Sequence, residues 1–442
     1  MNFFLLDVYQ ERNLRVSKDT NGGYGTVNDY GGGLVSRFLS RIKKSNVDFP
    51  SLTLSYTVAA LKKQGHRVSY GRNSMPPPDT EVVLLLSSIV EHSAELEWGR
   101  LLKGKGFHVG YIGSFARMMK DSYLAAGDFV VDEEAEFFFL TPVTKEKLRG
   151  VVSSGASRLS LDDLPFPDWS LFQKKNLKYG LYGAGTSFFP MLATRGCPFS
   201  CRYYCTYPLG QGTVVRFRSP KNIVDEIERL IKEYGAQTIL FRDPVFGINR
   251  GKTVELLEEI IRRDLKIKFV IETHLSLLDE EMIKLFSRAG LITVKVGIEA
   301  ADSGRLESYH RKDVNRSSEL ETIRKLERAG IGVICFYILA FPTDTWDSCV
   351  GTIKHAVMLN TIGAQFSVCT PYPGTAFYDA IKDRITAKKF DDFTQFNLVY
   401  KHDHLTPLDV DKLMSLAYNK YYSRPSWAFK YISHRIKNRF LK

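Results

Sequence analysis

The chain has 442 residues, of which 44% are hydrophobic, a content that indicates a globular protein of two or three domains. The longest purely apolar run, residues 333–341, is too short to cross a bilayer, and the N-terminus lacks the basic region and cleavage site of a secretory signal. The net charge of +12 favours anionic partners such as nucleic acid, phosphate-bearing substrates or anionic lipid. We therefore expect a cytoplasmic protein without a transmembrane helix.

Apolar strands alternate with helices through residues 1–145. The strands are expected at 3–8, 67–70, 81–90, 107–112 and 128–131, and the helices at 52–64 and 95–102. This alternation predicts an α/β, doubly wound parallel sheet, whose ligands bind beyond the C-terminal strand ends. No GxGxxG pattern follows the first strand, so a dinucleotide site is not predicted. The glycine-rich stretch 10–46 is predicted to be a long loop.

A proline-containing linker is expected at residues 146–188, and the alternation resumes in residues 189–378. The strands of this second part are expected from 189 and at 237–241, 269–273, 293–299, 332–340 and 364–370. About six strand–helix units in a row predict a partial or complete parallel barrel, in which function collects at the C-terminal strand ends. Residues 379–442 are predicted to form a helical C-terminal extension.

Three cysteines, Cys197, Cys201 and Cys205, lie close together directly after the first of these strands. The other three cysteines are scattered downstream, at Cys335, Cys349 and Cys369. Closely spaced cysteines in a chain without a secretory signal indicate a metal site rather than disulfides. Three thiolates suit a [4Fe-4S] cluster that keeps one iron open. A zinc site without its fourth ligand and three unliganded thiols are the alternatives.

The loop RGCPFSCRYYC resembles the cluster loop of radical S-adenosylmethionine (SAM) enzymes, whose usual pattern is Cys-x3-Cys-x2-Cys. It is especially similar to the subgroup with an N-terminal cobalamin-binding domain. Three residues, Arg202, Tyr203 and Tyr204, separate the second and third cysteines, where the family has two. Either the extra residue bulges out, with Tyr204 keeping the family's aromatic position, or one sulfur is displaced. The resemblance implies that all three cysteines bind the cluster.

Other strand ends carry motifs that are similar to those of the same family. The resemblance implies that Asp243 accepts the amino group of SAM and that Glu272, with His274 nearby, reaches the ribose or the substrate. GIE at residues 297–299 resembles a motif that approaches SAM closely, and FPT at 341–343 stands where relatives have GFPGE near the adenine. PYPGT at 371–375 also matches. The implied cofactor-binding residues are Asp243, Glu272, Gly297, Glu299 and Pro342. Taken singly, each carboxylate could instead be a helix cap or part of an ion pair.

The N-terminal part resembles the cobalamin-binding domain of this subgroup through an apolar strand, SLTLSYTVAALKKQGHRVSY and FVVDEEAEFFF. No D-x-H-x-x-G motif is present, and His92 is interpreted as a loop or helix-cap residue rather than a cobalt ligand. The resemblance therefore implies cobalamin bound without a protein histidine on cobalt. The alternative is a sheet domain that binds nothing.

The resemblance implies a cobalamin-dependent radical SAM enzyme, which cleaves SAM reductively at a [4Fe-4S] cluster to form a 5′-deoxyadenosyl radical. A methyltransferase acting on an unactivated carbon is the expected activity. The alternatives are a ring-forming or rearranging radical SAM enzyme and a non-catalytic protein that binds cobalamin, SAM or a cluster. The implied partners are a small-molecule substrate, which can be a lipid or carry phosphate, and an electron donor such as flavodoxin or ferredoxin.

The C-terminal tail, SRPSWAFKYISHRIKNRFLK, interleaves aromatic and basic residues. Such a segment can lie on the anionic inner face of a membrane, which would make the protein peripheral to it. It carries no nucleic-acid-binding motif, so a nucleic-acid partner is not expected. The alternative is a helix packed on the barrel with a solvated basic face.

Overall fold

The computed structural model describes residues 1–10, 18–27, 30, 32–48, 51–155, 160–172, 178–179, 187–199, 201–309, 311 and 316–440. Within these residues, two six-stranded sheets form the core, and every strand pairing in both is parallel. No helix in the described ranges is both long and apolar enough to cross a lipid bilayer. The predicted α/β fold class is confirmed.

The N-terminal sheet has the strand order β2-β1-β3-β4-β5-β6. Its strands are β1 (Asn2–Asp7), β2 (Arg67–Arg72), β3 (Val82–Leu86), β4 (His108–Ile112), β5 (Phe129–Val131) and β6 (Gly150–Val152). The chain order reverses between β1 and β3, and ligands of doubly wound sheets bind at such a point. All five residues of β3 are buried, as a strand covered on both faces requires. The last strand lies in the segment predicted as the linker, so this sheet extends beyond residue 145.

The first helix of the described residues, α1 (Leu34–Asn46), packs against the C-terminal helix at residues 407–422. The α-helices of the described residues that accompany the N-terminal sheet are α2 (Leu52–Lys63), α3 (His92–Gly104), α4 (Ser114–Met118), α5 (Lys120–Leu124) and α6 (Ala135–Phe138). The prediction of a loop over residues 10–46 is wrong for α1. The glycine-rich composition ends at Gly33, and Val35, Leu39 and Ile42 then recur at helical spacing. Val35 and Leu39 are partly buried against the core, and this packing stabilises the helix.

The second sheet is the predicted partial barrel, with its strands side by side in chain order and β7 and β12 at its edges. Its strands are β7 (Phe188–Met191), β8 (Thr238–Phe241), β9 (Lys268–Thr273), β10 (Leu291–Glu299), β11 (Gly332–Leu339) and β12 (Gly363–Val368). The accompanying helices are α7 (Tyr207–Gln211), α8 (Pro220–Tyr234), α9 (Arg250–Arg262), α10 (Glu280–Ala289), α11 (Ser303–Ser308), α12 (Arg316–Arg328), α13 (Trp346–Leu359) and α14 (Ala376–Ile381). Side-chain caps fix several helix starts: Ser219 accepts from Asn222 at α8, and Asp279 accepts from Met282 at α10.

Two C-terminal helices, α15 (Pro407–Tyr422) and α16 (Pro425–Phe440), pack on the barrel. Three tyrosines of α15 bind the edge strand β12 and the turn before it through their hydroxyls. Tyr418 accepts from the amide of Phe366 and donates to its carbonyl, and Tyr422 does the same with Ala364, at 2.6–3.2 Å. Tyr421 donates to the carbonyl of Thr361 at 2.7 Å. In α16, Trp427 donates from Nε1 to the carbonyl of Ile362 at 3.0 Å.

A buried ion-pair cluster joins the two sheets. Arg195 leaves β7 toward the cysteines, and its side chain is 5% exposed. Its guanidinium donates to Glu134 at 2.8 Å and also pairs with Glu136 of α6, while Arg216 donates to Glu134 at 2.8 Å. Burial alone would raise the pKa of Glu134, but Arg195 and Arg216 outweigh burial and lower it to about 2. The segment that leads into the cysteine loop is thereby fixed to the N-terminal sheet.

We expect Arg195→Met to lower the free energy of unfolding by about 3–5 kcal/mol, because it leaves buried Glu136 without its cation and Glu134 with Arg216 alone. The matched control is Arg229→Met on α8, which removes an exposed pair with Glu233 and should cost less than about 1 kcal/mol. Urea unfolding of the iron-free protein, followed by circular dichroism, measures both. Equal losses in the two variants would contradict a special role for the buried cluster.

Candidate functional site

The cysteine loop is closed on itself directly after β7. Residues Thr194–Arg195 pair antiparallel with Arg216–Phe217, and the amide of Cys197 donates to the carbonyl of Gly212 at 3.1 Å. Gly196 has a φ of +96°, and a Cβ there would lie 2.2 Å from the carbonyl oxygen of Val214. Only glycine fits this crossing point. The backbone therefore holds the loop at the C-terminal end of the first barrel strand.

The longer spacing between the second and third cysteines is absorbed by one helical turn. A short 3-10 turn spans Cys201–Tyr203, and the amide of Cys205 donates to the carbonyl of Cys201 at 3.2 Å. Residues four apart on a helical turn share one face, so the two thiols meet. Their hydrogen bond lowers the pKa of Cys201 to about 7, against burial, which raises it. This turn contains the extra residue, and its effect on a bound cluster stays a prediction.

The loop supplies three thiols that fit an iron–sulfur cluster after a small rearrangement. Cys197 and Cys201 are buried and Cys205 is half-buried, whereas Cys335, Cys349 and Cys369 are buried outside this loop, on β11, on α13 and just after β12. Among the residues that the structure describes, no three His, Cys, Asp or Glu side chains already stand as a metal-holding group. Binding a cluster therefore requires the two touching thiols to separate. Three cysteines from one loop match the ligand chemistry of an iron–sulfur cluster.

Gly297 and Glu299, at the end of β10, lie against the cysteine loop. Glu299 has a φ of +64°, an uncommon conformation for a residue with a side chain. A Cβ on Gly297 would lie 2.5 Å from Oε1 of Glu299 and 2.8 Å from Nη2 of Arg311. Glycine is thus needed here to admit these two side chains. Burial raises the pKa of Glu299, and Arg311 only partly offsets this effect.

Arg311 is a site residue that the sequence motifs did not identify. Its Nη2 donates to the carbonyl of Gly297 at 3.1 Å and lies 3.3 Å from Glu299, and its Nη1 is 4.0 Å from the sulfur of Cys201. The guanidinium therefore bridges the GIE segment and the cysteine loop. The available sequence signal for Arg311 was a cation in the long connection after β10, but its spacing from the GIE motif does not identify it as a site residue.

Asp243 supports the segment before the cysteines. Its carboxylate is fully buried and accepts hydrogen bonds from the amides of Ala193 and Thr194, at 3.1 and 2.5 Å, and from the Thr194 hydroxyl at 2.6 Å. Burial raises its pKa to about 6 despite these bonds, which act in the opposite direction. Asp243 thus fixes the course of the loop, and its contact with the amino group of SAM stays a prediction.

Glu272 lies in an ion-pair cluster inside the barrel. Its Oε1 is 3.2 Å from Nζ of Lys295, its register partner on β10, and 3.7 Å from Nη1 of Arg242. Burial alone would raise the pKa of Glu272, but Lys295 and Arg242 outweigh burial and lower it. A lysine within an otherwise apolar strand, LITVKVGIE, was the sequence signal for this cluster. His274 lies nearby, with its ring 5.5 Å from that of Phe199 in the cysteine loop.

Pro342 follows β11 beside a stack of aromatic rings. Phe341 stacks on Tyr309 with ring centroids 5.0 Å apart, and Tyr309 stacks on Tyr203 at 5.1 Å. Tyr204 meets Phe341 edge-on at 5.7 Å. The two tyrosines between the cysteines thus anchor the loop to the end of β11. Pro342 itself is half-buried at the edge of this stack.

A cavity that opens to solvent lies between the two sheets. It faces the C-terminal ends of the N-terminal strands, where a doubly wound sheet binds its ligand. Its lining includes Lys18, Gly23, Ser114, Glu134, Arg195 and Arg242. Among the described residues that line it there is no histidine. His92 instead begins α3 and packs against Phe115 and Tyr123.

The lining combines charged and polar side chains with bare backbone, as a polar cofactor requires. Gly22 and Gly23 form part of the wall and pack so closely that a Cβ would lie 2.5 Å from the carbonyl oxygen of Thr206 or from Oγ of Ser114. Glu134 and Arg195 border the cavity beside the cysteine loop. A cobalamin here would contact both sheets, with no histidine among the described lining residues to ligate its cobalt.

Comparison with known proteins places the chain among radical SAM proteins. Residues 191–356 match the Radical SAM superfamily. An uncharacterized methyltransferase from Pyrococcus horikoshii is 28% identical over 61% of this chain and 58% of its own length. The anaerobic magnesium-protoporphyrin IX monomethyl ester cyclase of Cereibacter sphaeroides is 31% identical over 56% of this chain and 40% of its own. The chain thus spans about half the length of these curated relatives.

A solved structure matches along nearly the whole chain. The radical SAM methyltransferase TsrM from Kitasatospora setae, solved with cobalamin and a [4Fe-4S] cluster, has a TM-score of 0.64 and covers 99% of both chains at 14% identity. This likeness concerns the fold alone. Residues 191–356, which start at the end of the first barrel strand and include the cysteine loop, are a domain of the Radical SAM superfamily.

Proposed function

We propose that this protein is a cobalamin-dependent radical SAM enzyme that methylates an unactivated carbon of a small-molecule substrate. The observation that carries this proposal is the position of the three loop cysteines, at the end of β7 and next to Arg195, which lines the cavity between the sheets. When bound, a [4Fe-4S] cluster and SAM supply a 5′-deoxyadenosyl radical, and cobalamin supplies the transferred methyl group. The protein residues bind, orient and shield these groups.

Each residue of the site has a defined role in this proposal. Cys197, Cys201 and Cys205 bind the cluster, and Asp243 holds the segment before them. Arg311 and Glu299 provide opposite charges beside the loop, which suits the zwitterionic amino acid part of SAM. Gly297 keeps the approach open, and the aromatic stack next to Pro342 provides an apolar surface for the adenine.

The cavity between the sheets is the proposed cobalamin site. Gly22 and Gly23 allow backbone to approach the cofactor, while Arg195 and Glu134 hold its two walls at a fixed separation. The radical chemistry consumes an electron from outside the chain, so an electron donor such as flavodoxin or ferredoxin is the proposed protein partner. The named methyltransferase among the relatives supports methyl transfer, and the named cyclase makes ring formation the second candidate.

A surface for membrane contact is also proposed, on α16. Phe429, Ile432 and Ile436 share one face of this helix and are 77%, 55% and 53% exposed, and we call them the C-terminal ridge. Arg435 is exposed beside it, and the sequence continues with Lys437, Arg439 and Lys442. An apolar ridge flanked by cations matches the chemistry of an anionic lipid surface. Some of the aromatic residues predicted for this surface are used in packing instead: Trp427 and Tyr431 stack on each other at 5.4 Å, and Trp427 binds the barrel.

Cluster assembly tests the ligand assignment. After anaerobic reconstitution with iron and sulfide, we expect about four irons per chain, and a change in the electron paramagnetic resonance spectrum on adding SAM. Cys205→Ala should lose most of the iron and its visible absorption, and the matched control Cys369→Ala should retain both. Iron loss in the control but not in Cys205→Ala would show that the ligands are wrong. Failure to form 5′-deoxyadenosine would contradict the enzymatic function itself.

Co-sedimentation with lipid vesicles tests the ridge. The protein should bind vesicles that contain phosphatidylglycerol, and Ile432→Ser should weaken this binding about tenfold, because a buried branched side chain contributes roughly 1.5 kcal/mol or more. Leu408→Ser is the matched control, since Leu408 is 60% exposed on α15, outside the ridge. Equal binding by the wild type and Ile432→Ser would rule out the ridge as the lipid contact.

A further inference from the structure

Four cationic side chains of the described residues line the cavity between the two sheets, and three of them face a carboxylate. The pairs are Lys18 with Glu95 at 2.9 Å, Arg195 with Glu134 at 2.8 Å and Arg242 with Glu272 at 3.7 Å. The fourth cation is Arg117 on α4. Within the described ranges, no carboxylate lies within ion-pair distance of its guanidinium.

Arg117 uses only part of its hydrogen-bonding capacity. Its Nη1 donates to the carbonyl of Gly210 at 3.2 Å, which joins α4 to α7, the helix after the cysteine loop. Its Nε is buried and has no acceptor in the part of the chain that the structure describes. A guanidinium has five N–H donors, and a buried donor without an acceptor costs free energy. A ligand that brings an anion to Arg117 would remove this cost.

The carboxylates that line the same cavity are held by other groups. Asp19 accepts from the start of α2, Glu133 accepts from Ser154, and both Glu134 and Glu136 pair with Arg195. None of these contacts involves Arg117. The counter-ion for this arginine is therefore expected from a ligand.

Ser114 presents a second donor next to Arg117. Residues three apart on a helix lie on one side of it, and both of these residues line the cavity. The Ser114 hydroxyl has no hydrogen-bond partner among the described residues. A Cβ on Gly23 would lie 2.5 Å from its Oγ, and a Cβ on Gly210 2.8 Å from it. The two glycines thus keep side chains away from this hydroxyl.

A guanidinium beside a hydroxyl matches the chemistry of a phosphate group, which is anionic and accepts several hydrogen bonds. Cobalamin carries one such group, the phosphodiester of the nucleotide tail that is attached to its corrin ring. The side chains at the edge of the ring end in uncharged amides, which need no cation. One uncompensated cation in the wall therefore suits the tail of cobalamin better than its ring.

We propose that Arg117 and Ser114 bind the phosphodiester in the nucleotide tail of cobalamin, and so favour the complete cofactor over a corrinoid without the tail. This inference rests on the proposed cobalamin site for the identity of its ligand. Because Arg117 also bonds Gly210, the tail is held where α4 meets the helix that follows the cysteines.

Equilibrium dialysis of the reconstituted full chain without oxygen tests the proposal, and the corrin absorbance of the protein-free chamber gives the dissociation constants. The probes are hydroxocobalamin and hydroxocobinamide, which has the same ring and cobalt but no nucleotide tail. Arg117→Met should weaken cobalamin binding about tenfold or more, because it removes a charge-assisted hydrogen bond, and should leave cobinamide binding unchanged. Ser114→Ala should weaken cobalamin binding about fivefold, again without an effect on cobinamide.

Two controls separate the tail contact from a general effect on the protein. Cobinamide reports on folding, because a misfolded variant would lose both ligands, and Ser114→Ala then tests the contact if Arg117→Met does not fold. Arg149→Met is the matched change of charge. Arg149 is exposed and precedes β6, at the edge of the sheet opposite the cavity, so both affinities should stay unchanged.

Equal losses for the two corrinoids in folded Arg117→Met and Ser114→Ala, or no loss for either, would overturn the tail contact and leave the proposed cobalamin site standing. A wild-type protein that binds neither corrinoid would refute the cobalamin site together with this inference. Inorganic phosphate distinguishes the other source of the same chemistry, a phosphate-bearing substrate. A rise in Tm with phosphate that requires Arg117, while both corrinoid affinities do not, would assign Arg117 to the substrate and reject the tail contact.

Discussion

The positive charge of Arg195 must be neutralised in a position almost without water, and the two glutamates that do so lie at the start of α6, which follows the N-terminal sheet's strand β5. A guanidinium stays charged at any physiological pH, so this compensation is obligatory. The residue that begins the cysteine loop is therefore also the residue that joins the sheets. As a result, the position of the cysteine loop is fixed relative to the cavity between the sheets, and a change in one is transmitted to the other.

Similar buried pairs support the ends of other strands. Lys18 lies 2.9 Å from Glu95 and 3.6 Å from Asp7, below the cavity, and Arg218 pairs with Glu226 beside the cysteine loop. These pairs contribute less to net stability than their number suggests, because desolvation offsets much of the attraction. Their effect is positional: each fixes a loop that faces the cavity or the cysteines. The apolar strands provide the stability, and the charged strand ends provide the geometry.

The sequence predicted the features that depend on local patterns and missed the residues whose partners lie far away in the chain. Both sheets, the cysteine loop, and Gly297 with Glu299 are recognisable from short patterns and the order of strands. Arg311 and the ion-pair cluster of Arg195 left no pattern, because their partners lie far away in the chain and their spacing is arbitrary. For Asp243, the motif position gave no sign of its second role, which is to hold Thr194 and the neighbouring amide through hydrogen bonds. The helix α1 was missed because the glycine content of one part of a segment was extended to all of it.

The edge of β12 illustrates how an incomplete barrel can remain open. Its exposed amides and carbonyls would ordinarily invite a strand from another molecule. The hydroxyls of Tyr418 and Tyr422 both accept from and donate to this edge, so they occupy the positions that a seventh strand would fill. Side chains can do this without closing the sheet into a ring. The tyrosines of α15 thus prevent this part of β12 from serving as a template for intermolecular β-pairing.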